Sequence, residues 1–171
     1  MNTNYFNTLF EKYRNKGLLI DSSLLLLYIV GSYSGGQVEK FKRTRKYSSD
    51  DFDVISQIVN YFSRVITTPN ILTEVSNLSG QLPEQPINMK VDYFQEFAIK
   101  ICGLDESYEP SREICKTNYF KKFGLTDSSI ISLSKNKYLV LTDDFPLAGM
   151  LEKLSIDVIN FNHVRIMGWK N

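Results

Sequence analysis

Histidine, cysteine and tryptophan are scarce: the 171 residues hold one, two and one of them. Cys102 and Cys115 form no C-x-x-C pair and have no histidine near them. That speaks against a zinc centre, which gathers thiolate and imidazole ligands at short spacing. The opening stretch, MNTNYFNTLFEKYRNK, lacks a long apolar core and a small-residue cleavage site, so the cysteines read as free thiols of a reducing cytoplasm. The longest apolar run, Leu24 to Val30, falls far below the roughly 20 residues needed to cross a bilayer. No glycine-rich phosphate loop of the Walker or dinucleotide kind is present, which leaves nucleotide-cofactor chemistry without support. Nor is one sign of charge in excess: 20 Lys and Arg against 19 Asp and Glu give a formal net charge of +1. An acidic site and a basic surface can cancel in such a sum.

What is present is globular. Hydrophobic residues make up 43% and charged residues 23%, and the length suits one well-buried domain. The chain is organised around Gly17 to Gly31, GLLIDSSLLLLYIVG. Leu18, Leu19 and Ile20 form a short continuous apolar run, the mark of a strand buried on both faces of a parallel sheet. Asp21 follows, with Ser22 or Ser23 available as N-cap of a helix, Leu24 to Val30, that is apolar all round. Asp21 therefore sits at the carboxyl end of a strand, the edge at which open α/β sheets bind ligands.

Along the chain, Tyr5, Phe6, Leu9, Phe10 and Tyr13 predict an opening amphipathic helix over 5–16 with an aromatic stripe in the core. Ser48 or Ser49 caps a helix reaching about Ser63, with Phe52, Ile55, Val59 and Phe62 inward. Val65 to Thr67 reads as a second strand, and Thr68, Pro69 and Asn70 start a helix that Gly80 ends. A loop with Pro83 and Pro86 leads to a helix over 91–101, after which residues 103–122 are irregular at first and then helical. Gly124 to Lys135 enters a helix at Thr126 and Asp127, Tyr138 to Leu141 is a third strand, and Asp157 to Phe161 a fourth, with a helix from Phe145 to Leu154 between them. The alternation implies a parallel α/β sheet with right-handed crossovers.

Four acids occupy equivalent places: Asp21 after the first strand, Glu74 and Asp127 in early helical turns, and Asp144 or Asp143 after the third strand. Each taken alone reads as a helix cap or a partner of the helix dipole. Together they describe one sheet edge, where carboxylates repel one another unless a cation neutralises them. Oxygen ligands without histidine or cysteine select Mg²⁺ or Mn²⁺. Such ions activate water and clamp the oxygens of a phosphodiester.

The blocks LLIDSSLLL, TTPNILTEVSNL, GLTDSSIISLSK and YLVLTDDF resemble, in content and order, the four acidic motifs of PIN-domain ribonucleases. The resemblance covers nearly the whole chain. It implies a three-layer α/β/α sandwich with a central parallel sheet of four to five strands, catalytic and metal-binding acids at Asp21, Glu74, Asp127 and Asp144, and Mg²⁺- or Mn²⁺-dependent cleavage of RNA. The family's Thr-x-Asp motif selects Asp144 as the catalytic acid, with Asp143 beside it as a further metal ligand. Implied partners are an RNA substrate, an antitoxin or other inhibitory protein, and a second copy of the chain, with no membrane. The whole of 1–171 is expected to be a single domain with a basic insertion at about 35–50 and a helical one at about 80–122.

The densest basic run is Lys40, Lys42, Arg43, Arg45 and Lys46. It is expected to fold back beside the acids and grip RNA phosphates, aided by Lys116, Lys121 and Lys122, with Phe41 and Tyr47 stacking on bases; the alternative is a solvated loop. A response-regulator receiver and a haloacid-dehalogenase-type phosphatase both fit less well, since each places an acid pair after its first strand. The rival of another class is a PIN-like scaffold without catalysis that binds RNA or a protein. His163 reads as structural, and Trp169 as a packing anchor or an exposed partner contact.

Overall fold

Leu18, Leu19 and Ile20 are completely buried and form β1 (Leu18–Ile20), the middle strand of a five-stranded sheet. The computed structural model describes residues 3–82 and 87–167, so Trp169, Pro83 and Pro86 lie outside the described residues. β1 is flanked by β2 (Val65–Thr67) and β4 (Leu139–Thr142), with β3 (Asp105–Glu106) and β5 (Val158–Asn160) at the two edges, in the order β3-β2-β1-β4-β5. All pairings are parallel, with Leu18 opposite both Val65 and Leu139. Helices flank this sheet in a three-layer α/β/α arrangement, as the sequence predicts.

The helices are α1 (Thr3–Tyr13), α2 (Ser22–Tyr33), α3 (Ser49–Tyr61), α4 (Pro69–Ser79), α5 (Ile87–Cys102), α6 (Ser111–Ile114), α7 (Phe120–Ser134), α8 (Phe145–Lys153) and α9 (Phe161–Met167). Among the described residues no helix is long and apolar enough to cross a membrane. α2 is apolar all round because it packs against α3, α4 and α5 as well as the sheet. Gly31 is required there: a Cβ would lie 2.1 Å from Cδ2 of Phe52, so only glycine lets the α3 ring lie against α2. On α1, Phe6, Leu9, Phe10 and Tyr13 are buried, whereas Tyr5 is exposed and falls outside the expected stripe.

One strand departs from the sequence reading. β3 is a two-residue strand of exposed acids, Asp105 and Glu106, and it pairs with Ile66 and Thr67 of β2. The segment holding it has no strand propensity; the open edge of β2 supplies the ladder. The helical turns bearing Asp127 start just after Gly124, as expected; the stretch of α7 from Phe120 lies before a break at Gly124, whose φ of 68° is the left-handed region that favours glycine.

The basic insertion is folded rather than loose. Val38, Phe41, Thr44 and Tyr47 are all buried. Thr44 N–H donates to Phe41 O (3.0 Å) and Tyr47 N–H to Thr44 O (2.8 Å). Turns of this i,i+3 kind bring every third residue to one side, so the cations between them face outward. Phe41 and Tyr47 are therefore core residues, which corrects the expectation that they stack on bases. Cys102 and Cys115 are free and exposed.

Candidate functional site

Because all strands are parallel, the residues following β1, β2 and β4 share one edge of the sheet. Asp21 follows β1 and is itself the N-cap of α2: Leu24 N–H donates to its Oδ1 at 2.9 Å. A carboxylate thus does the work expected of Ser22 or Ser23. Its other oxygen, Oδ2, accepts from the Thr142 hydroxyl and from Asp143 N–H (3.3 Å). Asp21 is 5% exposed. Burial, followed by the nearby Asp143 charge, pushes its carboxyl up to about 7 against the pull of those three hydrogen bonds.

Ser22 is freed for another task. Its hydroxyl donates to Glu74 Oε2 at 2.8 Å, joining the start of α2 to α4. Glu74 stands there because Thr68 caps α4, receiving Ile71 N–H on its hydroxyl (3.2 Å), with Pro69 in the first turn. Asp127, placed by the Gly124 break, makes no side-chain hydrogen bond among the described residues. Burial pushes its carboxyl up to about 6, and the charges of Asp144 and then Glu74 add to the shift.

Asp144 caps α8, its Oδ1 accepting from Leu147 N–H at 2.7 Å. Thr142 ties it to Asp21, since Thr142 Oγ1 accepts Asp144 N–H (3.0 Å) while its own hydroxyl donates to Asp21. Asp143 is held otherwise: its Oδ2 accepts from Lys46 Nζ (2.5 Å) and from the Tyr47 hydroxyl (2.7 Å), and its carbonyl from Asn162 Nδ2 (2.9 Å). Burial and the Asp143 charge keep the Tyr47 phenol well above its ordinary range, so it stays a donor.

The structure therefore brings Asp21, Glu74, Asp127, Asp143 and Asp144 to one edge. Among the described residues, however, no three His, Cys, Asp or Glu side chains are grouped tightly enough to hold a metal ion. The acids stand instead in a chain of neighbours, Asp21 with Asp143 and Asp127 with Asp144 and Glu74. A cleft of about 560 Å³ opens beside Glu74 and Asp127, lined by Asn70, Thr73, Asn77 and Phe123 among others.

Of the basic run, Lys46 reaches the edge through Asp143. Arg43 turns away to Gln81 Oε1, at 2.9 and 2.6 Å from Nε and an Nη. Lys40, Lys42 and Arg45 are exposed and make no ion pair among the described residues. Lys116 pairs with Glu113 (2.9 Å), Lys122 lies over the Phe123 ring, and Lys121 is exposed. His163 packs edge-on against Phe145, with ring centroids 6.1 Å apart.

Sequence reasoning missed Ser22 as a partner of Glu74, the amides of Asn70 and Asn77, and the Lys46–Asp143 pair. The spacing of Asn70, Thr73, Glu74 and Asn77 along one helical face was the signal available for the second; the other two need the tertiary fold. No protein-family model matches this chain, and no curated protein matches it either.

Proposed function

We propose that this protein is a metal-dependent endoribonuclease of the PIN-domain type, hydrolysing RNA phosphodiester bonds at the edge that carries Asp21, Glu74, Asp127 and Asp144. The observation that carries this reading is Asp127: a carboxyl raised to about 6 by burial and by the charges of two further acids, with no cation paired to it among the described residues. Such an excess of negative charge suits a hard divalent cation, and the donors are oxygen only.

Asp21, Asp127, Asp144 and Glu74 would hold Mg²⁺ or Mn²⁺ after their side chains draw together, since as they stand no three acids among the described residues are grouped tightly enough for it. When bound, the ion supplies an activated water and neutralises charge on the phosphate. The protein's own part is positional. Thr142 ties the Asp21 side chain to the Asp144 backbone through one hydroxyl. Ser22 aims Glu74 toward the same edge. Lys46 and Tyr47 hold Oδ2 of Asp143, and the Asp143 N–H orients the loop toward Asp21, which leaves Oδ1 of Asp143 as a further oxygen donor beside the four acids. Lys40, Lys42, Arg43 and Arg45 supply an outward cationic strip that begins at Lys46 and follows the RNA backbone.

The partners of this reading are a single-stranded RNA, an antitoxin or other inhibitory protein covering the edge, and a second copy of the chain. The two free, exposed thiols suit a reducing cytoplasm. A second reading, a scaffold that binds RNA or a protein without cleaving, is favoured by the absence of a three-ligand group among the described residues. Incubation of a labelled RNA with and without Mn²⁺, and with a chelator, separates the two: chelator-sensitive cleavage supports the enzyme, and binding without cleavage the scaffold.

A further inference from the structure

α4 turns a polar stripe toward the cleft. Asn70, Thr73, Glu74 and Asn77 follow the i, i+3, i+4, i+7 spacing of one helical face. The opposite face is buried through Ile71, Val75 and Ser79. The side chains of Asn70, Thr73 and Asn77 make no hydrogen bond among the described residues. Asparagine is also a poor helix former. The side-chain donors and acceptors of these residues therefore remain available to a ligand.

Across the cleft the wall is apolar. Phe123 and Leu125 flank Gly124, where the positive φ breaks α7, and both line the cleft. Among the described residues no Lys or Arg lines the cleft, although Lys122 lies over the Phe123 ring, whereas Glu74 and Asp127 are both part of the lining. An anion is thereby disfavoured. A flat, uncharged group with apolar faces and hydrogen-bonding edges fits both walls, and about 560 Å³ is within the range of small-ligand sites.

We infer that this cleft binds a nucleobase of single-stranded RNA, with the base face on Phe123 and Leu125 and its edge on the amides of Asn70 and Asn77. Unpaired bases are recognised in this way, by stacking and by side-chain amides on their edges. The inference deepens the ribonuclease reading and rests on it for the choice of RNA. The base would sit beside Glu74 and Asp127, so the cleft selects the nucleotide next to the cleaved bond. A peptide is the weaker fit, because every lining residue belongs to α4 or α7, so the cleft offers no strand edge, and its apolar lining is limited to Leu78, Phe123 and Leu125.

The test titrates the four nucleoside 5′-monophosphates into isotope-labelled protein without metal, following the side-chain amide signals of Asn70 and Asn77 by NMR. One nucleotide is expected to move both signals more strongly than the other three, in the roughly millimolar range. Asn77→Ala and Phe123→Ala are each expected to weaken it about tenfold, the weight of one edge or stacking contact. Asn77 is exposed, so its truncation leaves the core and the melting temperature unchanged. Unmoved amides, or equal shifts with all four nucleotides, overturn the inference and leave the cleft to a protein partner. Chelator-sensitive RNA cleavage alongside unmoved amides would sink the base site while leaving the nuclease standing. Base-selective shifts in a protein that cleaves nothing would keep the site and remove the enzyme.

Discussion

The hydroxyl of Thr142, at the end of β4, donates to the buried Asp21 carboxylate at the end of β1. The same oxygen accepts the Asp144 N–H, so one threonine fixes two acids from adjacent strands. This gives a physical reason for a threonine two residues ahead of the acid. Thr142→Val keeps the shape and removes the donor. At a pH above the Asp21 value it is expected to cost about 1–3 kcal/mol, because a buried acceptor loses its partner. Below pH 5 the protonated carboxyl needs the donor less, and urea unfolding at the two pH values should show the smaller loss there. Thr142→Ser should restore both.

The raised carboxyls of Asp21 and Asp127 make stability depend on pH with a defined sign. Between 3.8 and about 7 the folded protein holds the Asp21 proton that the unfolded chain releases, so in metal-free buffer stability falls as pH rises through this window. Asp127 adds to the fall up to about 6. One proton gives a slope of at most about 1.4 kcal/mol per pH unit. Asp21→Asn should flatten the curve, and saturating Mn²⁺ should do the same by favouring the ionised form. A metal-free curve that is level from pH 4 to 7 would show that these acids are not held in a charge-crowded, buried edge.

Two ion pairs near the edge differ in worth. Arg165 grips Asp51 with two nitrogens, at 2.8 and 2.7 Å, and the Asp51 side chain is 7% exposed. Arg165→Ala strands that charge and is expected to cost about 3 kcal/mol. Lys46 is 54% exposed, and the Tyr47 hydroxyl still reaches Asp143 when it is gone. Lys46→Ala should cost under about 1 kcal/mol. Urea unfolding that ranks the two the other way round would contradict this account of the edge.

The outward cations predict the salt dependence of RNA capture. In the triple variant Lys42→Ala, Arg43→Ala, Arg45→Ala, affinity should drop and the salt slope should flatten by roughly 0.7 per lost phosphate contact on a single strand. Turnover at saturating RNA should change much less, since none of the three touches the acids. An unaltered slope would assign the strip to solvent or to a protein partner.

Where burial is continuous the sequence was readable. β1, β2, β4 and β5 announce themselves as short apolar or β-branched runs, and the acids stand out because each interrupts or follows such a run. β3 does not: Asp105 and Glu106 become a strand only because β2 has a free edge. Val38, Phe41, Thr44 and Tyr47 repeat every third residue, a period that the surrounding lysines and arginines mask. The choice of Asp21 over its serines as the α2 cap depends on where Glu74 and Thr142 arrive from distant segments, and no local pattern encodes that. The same holds for the Lys46–Asp143 pair, whose members are 97 residues apart.

The most direct test of the central claim uses Asp127→Asn. Asp21 and Asp144 also cap helices, so changing them mixes folding with chemistry. Asp127 caps nothing and bonds to nothing among the described residues, so its amide variant should fold as well as the original protein. Cleavage of a labelled single-stranded RNA is measured for both proteins with Mn²⁺, with Mg²⁺ and with a chelator. The account predicts cleavage by the original protein with either metal, loss of it with the chelator, and loss of at least about a hundredfold in the folded Asp127→Asn variant. Cleavage that survives the chelator or the substitution, or its absence under every condition, would contradict it.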